Sequence, residues 1–332
     1  MERLRHGLVS AWSRQAPWLW LLRPIECLYR LVTALRRSLY RNGLLKIYHP
    51  SRPVVVVGNI TAGGSGKTPV VIALVETLQQ RGLRVGVVSR GYGADAGVFP
   101  LVVEEHTEPE QCGDEPLLIH RRTSVPCVVA PSRVAATRTL LERFQVDLVI
   151  SDDGLQHYAL GRDMEIAMLD AVENLGNGFC LPAGPLREPA SRLRTVDLIL
   201  TRGGDGPAAV TNRADALVNL QGDRQLAADN SVLGERVYAV AAIGMPEQFC
   251  RSLEEIGFRP RLVSFPDHHR FEPDDLADLT DLPVIMTEKD AVKCASFAGP
   301  DTWYLRISAQ LPASVIDAVA TLPEHVVQKE SA

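Results

Sequence analysis

The chain has 332 residues, enough for two domains at roughly 100–200 residues each. Hydrophobic residues make up 46% and charged residues 23%, which excludes a disordered chain and allows a sizeable core. The formal net charge of −5 excludes a global basic field for nucleic acid, and six cysteines without any CxxC spacing argue against a zinc ribbon or a disulfide scaffold.

The charge is unevenly spread. Residues 1–48 carry a net of +7, which leaves −12 on the remainder, so a basic N-terminal segment precedes an acidic body. The longest charge-free run around its tryptophans, 15–22, falls short of the ~20 apolar residues of a spanning helix. No Ala-x-Ala cleavage pattern follows. Ile25, Leu28, Val32, Leu35 and Leu39 recur at three- and four-residue steps, with Arg23, Arg30, Arg37 and Arg41 on other faces. Trp12, Trp18 and Trp20 precede this stripe, and Gly43 suits a helix end. The pattern reads as an amphipathic helix for a membrane surface, or as one that packs on the protein's own body.

After Pro50, the β-branched run 53–57 reads as a buried parallel strand. The Gly-rich loop 58–66 follows, then a helix over 68–81 closed by Gly82, then a strand over 85–89: one βαβ unit. Strands are expected at 125–130, 147–150, 165–170 and 197–201, and a helix at 133–144. A Gly/Pro-rich functional loop is expected at 175–189. The polar stretch 203–235 reads as a linker. A second α/β pattern then runs through strand 237–242, helix 248–256, strand 261–265, helix 273–279, strands 284–287 and 303–307, and helix 312–322. The expected architecture is α/β: a P-loop NTPase-like parallel-sheet core over 49–202 and a smaller α/β lobe over 236–332, with a cleft between.

The chemistry starts in the loop Thr61-Ala62-Gly63-Gly64-Ser65-Gly66-Lys67-Thr68. Glycines let backbone N–H groups approach phosphate oxygens, and the helix start adds a positive dipole end. Lys67 would reach the β- and γ-phosphates of ATP, and Thr68 would ligate Mg²⁺. Thr61 stands where the general pattern has its first Gly. Ala62 stands where dimeric ATPases with a Gly-Gly-x-Gly-Lys-Thr loop carry a further Lys. Asp152 and Asp153 end a hydrophobic strand, the place of a carboxylate that holds Mg²⁺, and adjacent residues on an extended chain point to opposite sides. Asp114 and Glu115 precede Pro116, hence an extended or turn conformation, and Asp114 is either a base for an acceptor hydroxyl or part of a solvated turn. His268, with Asp267 and His269, is either a surface histidine or a proton-handling partner. Arg133, Arg187 and Glu188 are either surface pairs or groups that steady phosphates.

Taken in order, 58–69, 89–93, 113–116, 152–157, 184–188 and Asp267-His268 resemble the strings of tetraacyldisaccharide 4′-kinases, the lipid A 4′-kinases of Gram-negative bacteria. The resemblance spans roughly residues 10–325. The family's loop also lacks the first Gly, so Thr61 is no departure, while Leu155 stands where Phe is frequent. The resemblance implies phosphorylation by ATP, with Mg²⁺, of the 4′-hydroxyl of a tetraacylated disaccharide 1-phosphate to lipid IVA. It also implies an N-terminal helix that meets the inner membrane from the cytoplasm; from the charge no nucleic acid is expected, and no obligate protein partner is evident. By position it makes Lys67 and Thr68 ATP and Mg²⁺ residues, Asp152 a metal acid, Asp114 the base and His268 its orienting partner. Glu115, Arg133, Asp153, Arg187 and Glu188 would line the site. Two rivals stand beside it: a P-loop GTPase or ATPase switch acting on a protein partner, disfavoured for GTP by the absence of an Asn-Lys-x-Asp string, and a non-catalytic nucleotide-binding membrane adaptor.

Overall fold

The computed structural model describes residues 2–63, 66–95, 97–172, 174–222 and 224–324, so Gly64 and Ser65 of the expected phosphate loop lie outside the described residues. Two helices open the chain, α1 (Glu2–Ser13) and α2 (Arg23–Arg41), joined by a 3₁₀ turn at Pro17–Leu22. Then comes β1 (Val54–Gly58), whose four valines are fully buried, as both faces of a central parallel strand demand. Helix α3 (Lys67–Gln80) leaves the loop through Gly66, whose left-handed φ of 73° favours glycine and where a Cβ would meet Arg202 Cδ at 2.9 Å. The chain continues through β2 (Val85–Ser89), β3 (Leu101–Val103), α4 (Pro109–Cys112), α5 (Asp114–Thr123), β4 (Cys127–Val129), α6 (Arg133–Arg143), β5 (Leu148–Asp152), β6 (Met164–Asp170) and β7 (Leu198–Arg202).

These strands lie in the order β3-β4-β2-β5-β1-β6-β7, all parallel except β3. The order reverses on either side of β1, the switch point at which open parallel sheets bind ligands beyond their C-terminal ends.

The expected linker is not irregular. Residues 203–235 contain β8 (Ala209–Asn219) and β9 (Gln225–Ala227). β8 pairs parallel with β7 through Ala209 and Val210, and antiparallel with a C-terminal strand along nearly its whole length. Its polar stretch Thr211-Asn212-Arg213 is exposed, which is why its composition resembles a linker, while Leu217 packs in the second core. Beyond it lie β10 (Arg236–Ala241), α7 (Pro246–Glu255), β11 (Arg259–Ser264), α8 (Pro273–Ala277), β12 (Val284–Thr287), α9 (Glu288–Cys294), β13 (Thr302–Gln310) and α10 (Ala313–Ala320). The order β11-β10-β12-β13-β8 completes one 13-stranded sheet, so the second α/β pattern extends the first sheet instead of forming its own. Val315 and Val319 of α10 are buried in the same cluster as Leu74 and Leu78 of α3, so the C-terminus packs back on the first half.

Asp114 and Glu115 are helical, not extended. They occupy the first turn of α5, where Pro116 loses no hydrogen bond because first-turn N–H groups have no partner within the helix. Short α9 was also unforeseen. Thr287 caps it, accepting from the Asp290 N–H at 3.1 Å.

At the end of β1, a Cβ on Gly58 would meet Leu155 Cγ at 2.8 Å. Gly58→Ala is therefore expected to destabilise the protein by about 1–3 kcal/mol through overpacking. Thermal unfolding checks this; an unchanged midpoint would contradict the packing described.

Candidate active site

Backbone pairing fixes the loop after β1. The Ala62 N–H donates to the Pro185 carbonyl at 2.7 Å, and the Arg187 N–H donates to the Ile60 carbonyl at 2.7 Å. Thr61 and Leu186 form a β-bridge. The long Gly/Pro-rich loop thus lies against the phosphate loop through one isolated antiparallel bridge and the hydrogen bonds on either side of it. Buried Asn59 donates to Thr61 Oγ1 at 3.0 Å, and its Oδ1 accepts from Lys67 Nζ at 3.1 Å. Lys67 is buried with its ammonium 3.6 Å from Asp153 Oδ1. Thr68 is the second residue of α3.

The two carboxylates at the end of β5 have different partners: Asp152 is the last residue of the strand, and Asp153 starts the turn after it. Asp152 is 1% exposed; its Oδ2 accepts from Ser89 Oγ at 3.3 Å and its Oδ1 has no hydrogen-bond partner. Burial, together with Glu115 and Asp153, pushes its carboxyl up to about 7. A buried carboxylate oxygen left without a donor among other acids fits a divalent cation. Among the described residues no three side chains form a ready-made metal cage. Mg²⁺ characteristically takes one or two protein ligands together with phosphates and waters. Asp153 has a left-handed φ of 47° and accepts from Arg187 Nη1 at 2.8 Å. Burial alone would raise its pKa, but Lys67 and Arg187 outweigh it and hold the carboxyl below its ordinary value.

Arg133 lies beneath these acids instead of facing solvent. It is buried, and Nη2 donates to the Asp152 carbonyl at 2.7 Å and to the Asp153 carbonyl at 3.3 Å. Glu188 is buried against Tyr158 OH, which donates to it, and Gln156 Nε2, which donates at 3.0 Å. Gln156 also donates to the Asn59 carbonyl at 3.1 Å, so Glu188 braces the phosphate loop from below.

The other wall comes from both halves of the sheet. Asp114 opens α5, where the helix dipole favours a carboxylate, and its Oδ2 lies 3.2 Å from His268 Nδ1, 154 residues away. His268 has a left-handed φ of 62°, and its backbone N–H donates to the Ala242 carbonyl at 3.2 Å. Its Nε2 lies 3.4 Å from Lys289 Nζ. An ammonium only donates, so Nε2 accepts and the ring proton sits on Nδ1, donated to Asp114. Burial would raise the Asp114 carboxyl, but the His268 bond, Lys293 and Lys289 reverse this and keep it below the ordinary range. Lys293 Nζ is 3.7 Å from Asp114 Oδ2, and Lys289 Nζ is 3.4 Å from Glu115 Oε1. Glu115 is felt by Asp152, so the start of α5 faces the end of β5.

Asn59, Gln156, Lys289 and Lys293 were not singled out from the sequence. Thr287-x-x-Asp290 after a strand is a helix-start signal that would have found α9, and lysines four apart then share one face.

A family model for tetraacyldisaccharide-1-P 4′-kinase matches residues 18–323. The tetraacyldisaccharide 4′-kinase of Pseudomonas fluorescens (strain Pf0-1) is 48% identical over 306 residues, 91% of either chain. That of Azotobacter vinelandii is 48% identical over 310 residues, 92% of this chain and 93% of its own. Among solved structures, LpxK from Aquifex aeolicus in complex with ATP superposes with a TM-score of 0.77 at 28% identity, covering 93% of this chain and 99% of that one.

The raised Asp152 carboxyl has a thermodynamic consequence. A folded pKa near 7 lies above the unfolded 3.8, so its stabilising contribution is complete below about 4 and is lost as pH rises through about 7. Asp152→Asn is expected to raise the unfolding temperature of the nucleotide-free protein at pH 8 and to change it little at pH 4. Calorimetry at both values tests this; a lower midpoint at pH 8 would refute the assigned strain.

Proposed function

The chain belongs to the tetraacyldisaccharide-1-phosphate 4′-kinase family, and on that premise we propose how its residues carry the reaction. The protein is an ATP-dependent kinase of lipid A biosynthesis. It transfers the γ-phosphoryl group to the 4′-hydroxyl of a tetraacylated disaccharide 1-phosphate. One observation carries the reading of the site: buried Lys67 follows β1 at the sheet's switch point, and a histidine-held carboxylate, Asp114, starts the helix whose next residue, Glu115, acts on Asp152.

Lys67 reaches the transferred phosphate, and Asp153 and Asn59 hold its ammonium until nucleotide arrives. Thr68 and Asp152 are the residues suited to hold Mg²⁺, which when bound neutralises charge on the phosphates. Asp114 orients the acceptor hydroxyl and takes its proton as the phosphoryl group departs, while His268 fixes the carboxylate through Nδ1. The Lys67 and Arg187 charges do most of the work by positioning and neutralisation. Glu115 and Lys289 form the mouth of the acceptor side, and Arg133 and Glu188 hold the backbone that carries Asp152, Asp153 and the loop.

The lipid side is read from α2. Ile25, Leu28, Leu31, Val32 and Leu35 are exposed on one side, with Trp18, Trp20 and Leu21 before them, while Glu26, Tyr29, Thr33 and Arg37 turn toward the body. A helix with its apolar face outward supports seating in a lipid interface, here the cytoplasmic face of the bacterial inner membrane. Exposed Arg36 and Arg41 flank that face toward anionic headgroups. Among the described residues, no helix is long and apolar enough to cross a membrane.

Asp114→Ala is expected to lower kcat by ~10²-fold or more, the range for loss of a general base, while ATP still binds. Transfer of labelled γ-phosphate to the purified lipid disaccharide measures it, and near-normal turnover would remove Asp114 from the role. Separately, Leu28→Ser with Val32→Ser is expected to reduce cosedimentation with anionic vesicles. Unchanged partitioning would count against the interfacial seat.

A further inference from the structure

One stretch of the body, 179–188, meets the inward side of the N-terminal helices at several points, and it also holds the phosphate loop. Trp12 Nε1 donates to the Pro182 carbonyl at 3.1 Å. The Arg23 guanidinium lies 4.0 Å over the Phe179 ring, which Trp20 meets edge-on at 5.3 Å. Glu26 is a fully buried carboxylate that accepts from the Cys180 N–H at 3.1 Å, with Arg23 at 2.6 Å. Tyr29 OH donates to the Arg187 carbonyl at 2.8 Å. Segment 179–188 then delivers Pro185, Leu186 and Arg187 to Ala62, Thr61 and Ile60, and the Arg187 guanidinium to Asp153.

Burying a carboxylate is costly unless it is paired, and helix docking alone needs only apolar packing. α2 instead places Glu26 and Tyr29 on backbone groups of this segment, with Arg37 Nη2 donating to Thr195 Oγ1 at 2.9 Å beyond it, and leaves its apolar face outside. We propose that Glu26 and Tyr29 are positioning residues for phosphoryl transfer, holding segment 179–188 so that seating α2 at a lipid surface sets Arg187 and the phosphate loop. The coupling to a surface rests on the interfacial reading of α2; the positioning does not. Tyr29 spans the shortest path: its hydroxyl touches the peptide unit of the residue whose N–H binds Ile60 and whose side chain binds Asp153. Displacement of this residue by a fraction of an ångström moves the lysine's carboxylate partner and the loop together, and such misplacement is expensive in rate.

The experiment uses the full-length protein in Tyr29→Phe and Glu26→Gln forms. Thr33→Val serves as control, because that hydroxyl also lies on the inward side but bonds only within α2, to the Arg30 carbonyl at 3.0 Å. Three quantities are read: kcat and KM for the acceptor in mixed micelles, cosedimentation with anionic vesicles, and the unfolding temperature. Tyr29→Phe is expected to lower kcat by about 10-fold with acceptor KM, vesicle binding and unfolding temperature near wild type. Glu26→Gln should act in the same direction, and Thr33→Val should match wild type. A kcat unchanged in both Tyr29→Phe and Glu26→Gln would overturn the positioning role. A fall matched by an equal loss of folded protein would overturn it too, reducing both residues to docking contacts. Failure of the wild-type protein itself to bind vesicles would overturn the coupling to a surface, and the kcat of Tyr29→Phe reads the positioning independently of that result.

Discussion

A 3.2 Å contact between Asp114 and His268 joins residues 154 positions apart, and the geometry of the candidate site depends on it. Asp114 reaches that place because α5 starts at its residue, and α5 is anchored to both halves of the sheet. Arg122, at its far end, binds Glu288 of α9 at 2.9 Å and Glu76 of α3 at 3.2 Å. His268 reaches it because the second half-sheet is held in register by the antiparallel pairing of β13 with β8. A hinge between independent lobes would leave that distance free. A single sheet with α10 packed on α3 restricts it.

The phosphate side is built on the opposite principle, with charge concentrated instead of spread. Asp152, Asp153 and Glu115 converge where burial penalises them, and Lys67, Arg133 and Arg187 compensate unevenly. Asp153 receives two cations and stays ionised, while Asp152 is left with an oxygen that no protein group satisfies. Stability is thereby given up at Asp152, a division between two adjacent carboxylates that goes with the end of β5 at Asp152 and the left-handed turn at Asp153.

Much of this could be read locally. The valine run, the Gly-rich loop and the apolar spacing of Val70, Val71, Leu74, Val75 and Leu78 gave β1, the turn and α3 their places, because neighbouring residues decide those elements. What failed depended on distant partners. β8 is polar where it faces solvent and is a strand because β13 lies beside it. α5 was hidden by Pro116, which restricts the residue before it in an isolated chain yet fits a first helical turn. α9 has too few residues for a periodicity and is fixed by the Thr287 cap. Nothing local joins Asp114 to His268. Their pairing was expected only from the resemblance, and Lys289 and Lys293, which complete the cluster, carried no signal until α9 was known.

A double-mutant cycle on Asp114 and His268 tests the central claim most directly, with kcat/KM for transfer of labelled phosphate from ATP to the lipid disaccharide as the readout. If the histidine acts through the carboxylate, Asp114→Ala and His268→Ala together will cost little more than Asp114→Ala alone, because residues acting as a unit are strongly non-additive. Losses that multiply would show two independent contributions and contradict the account.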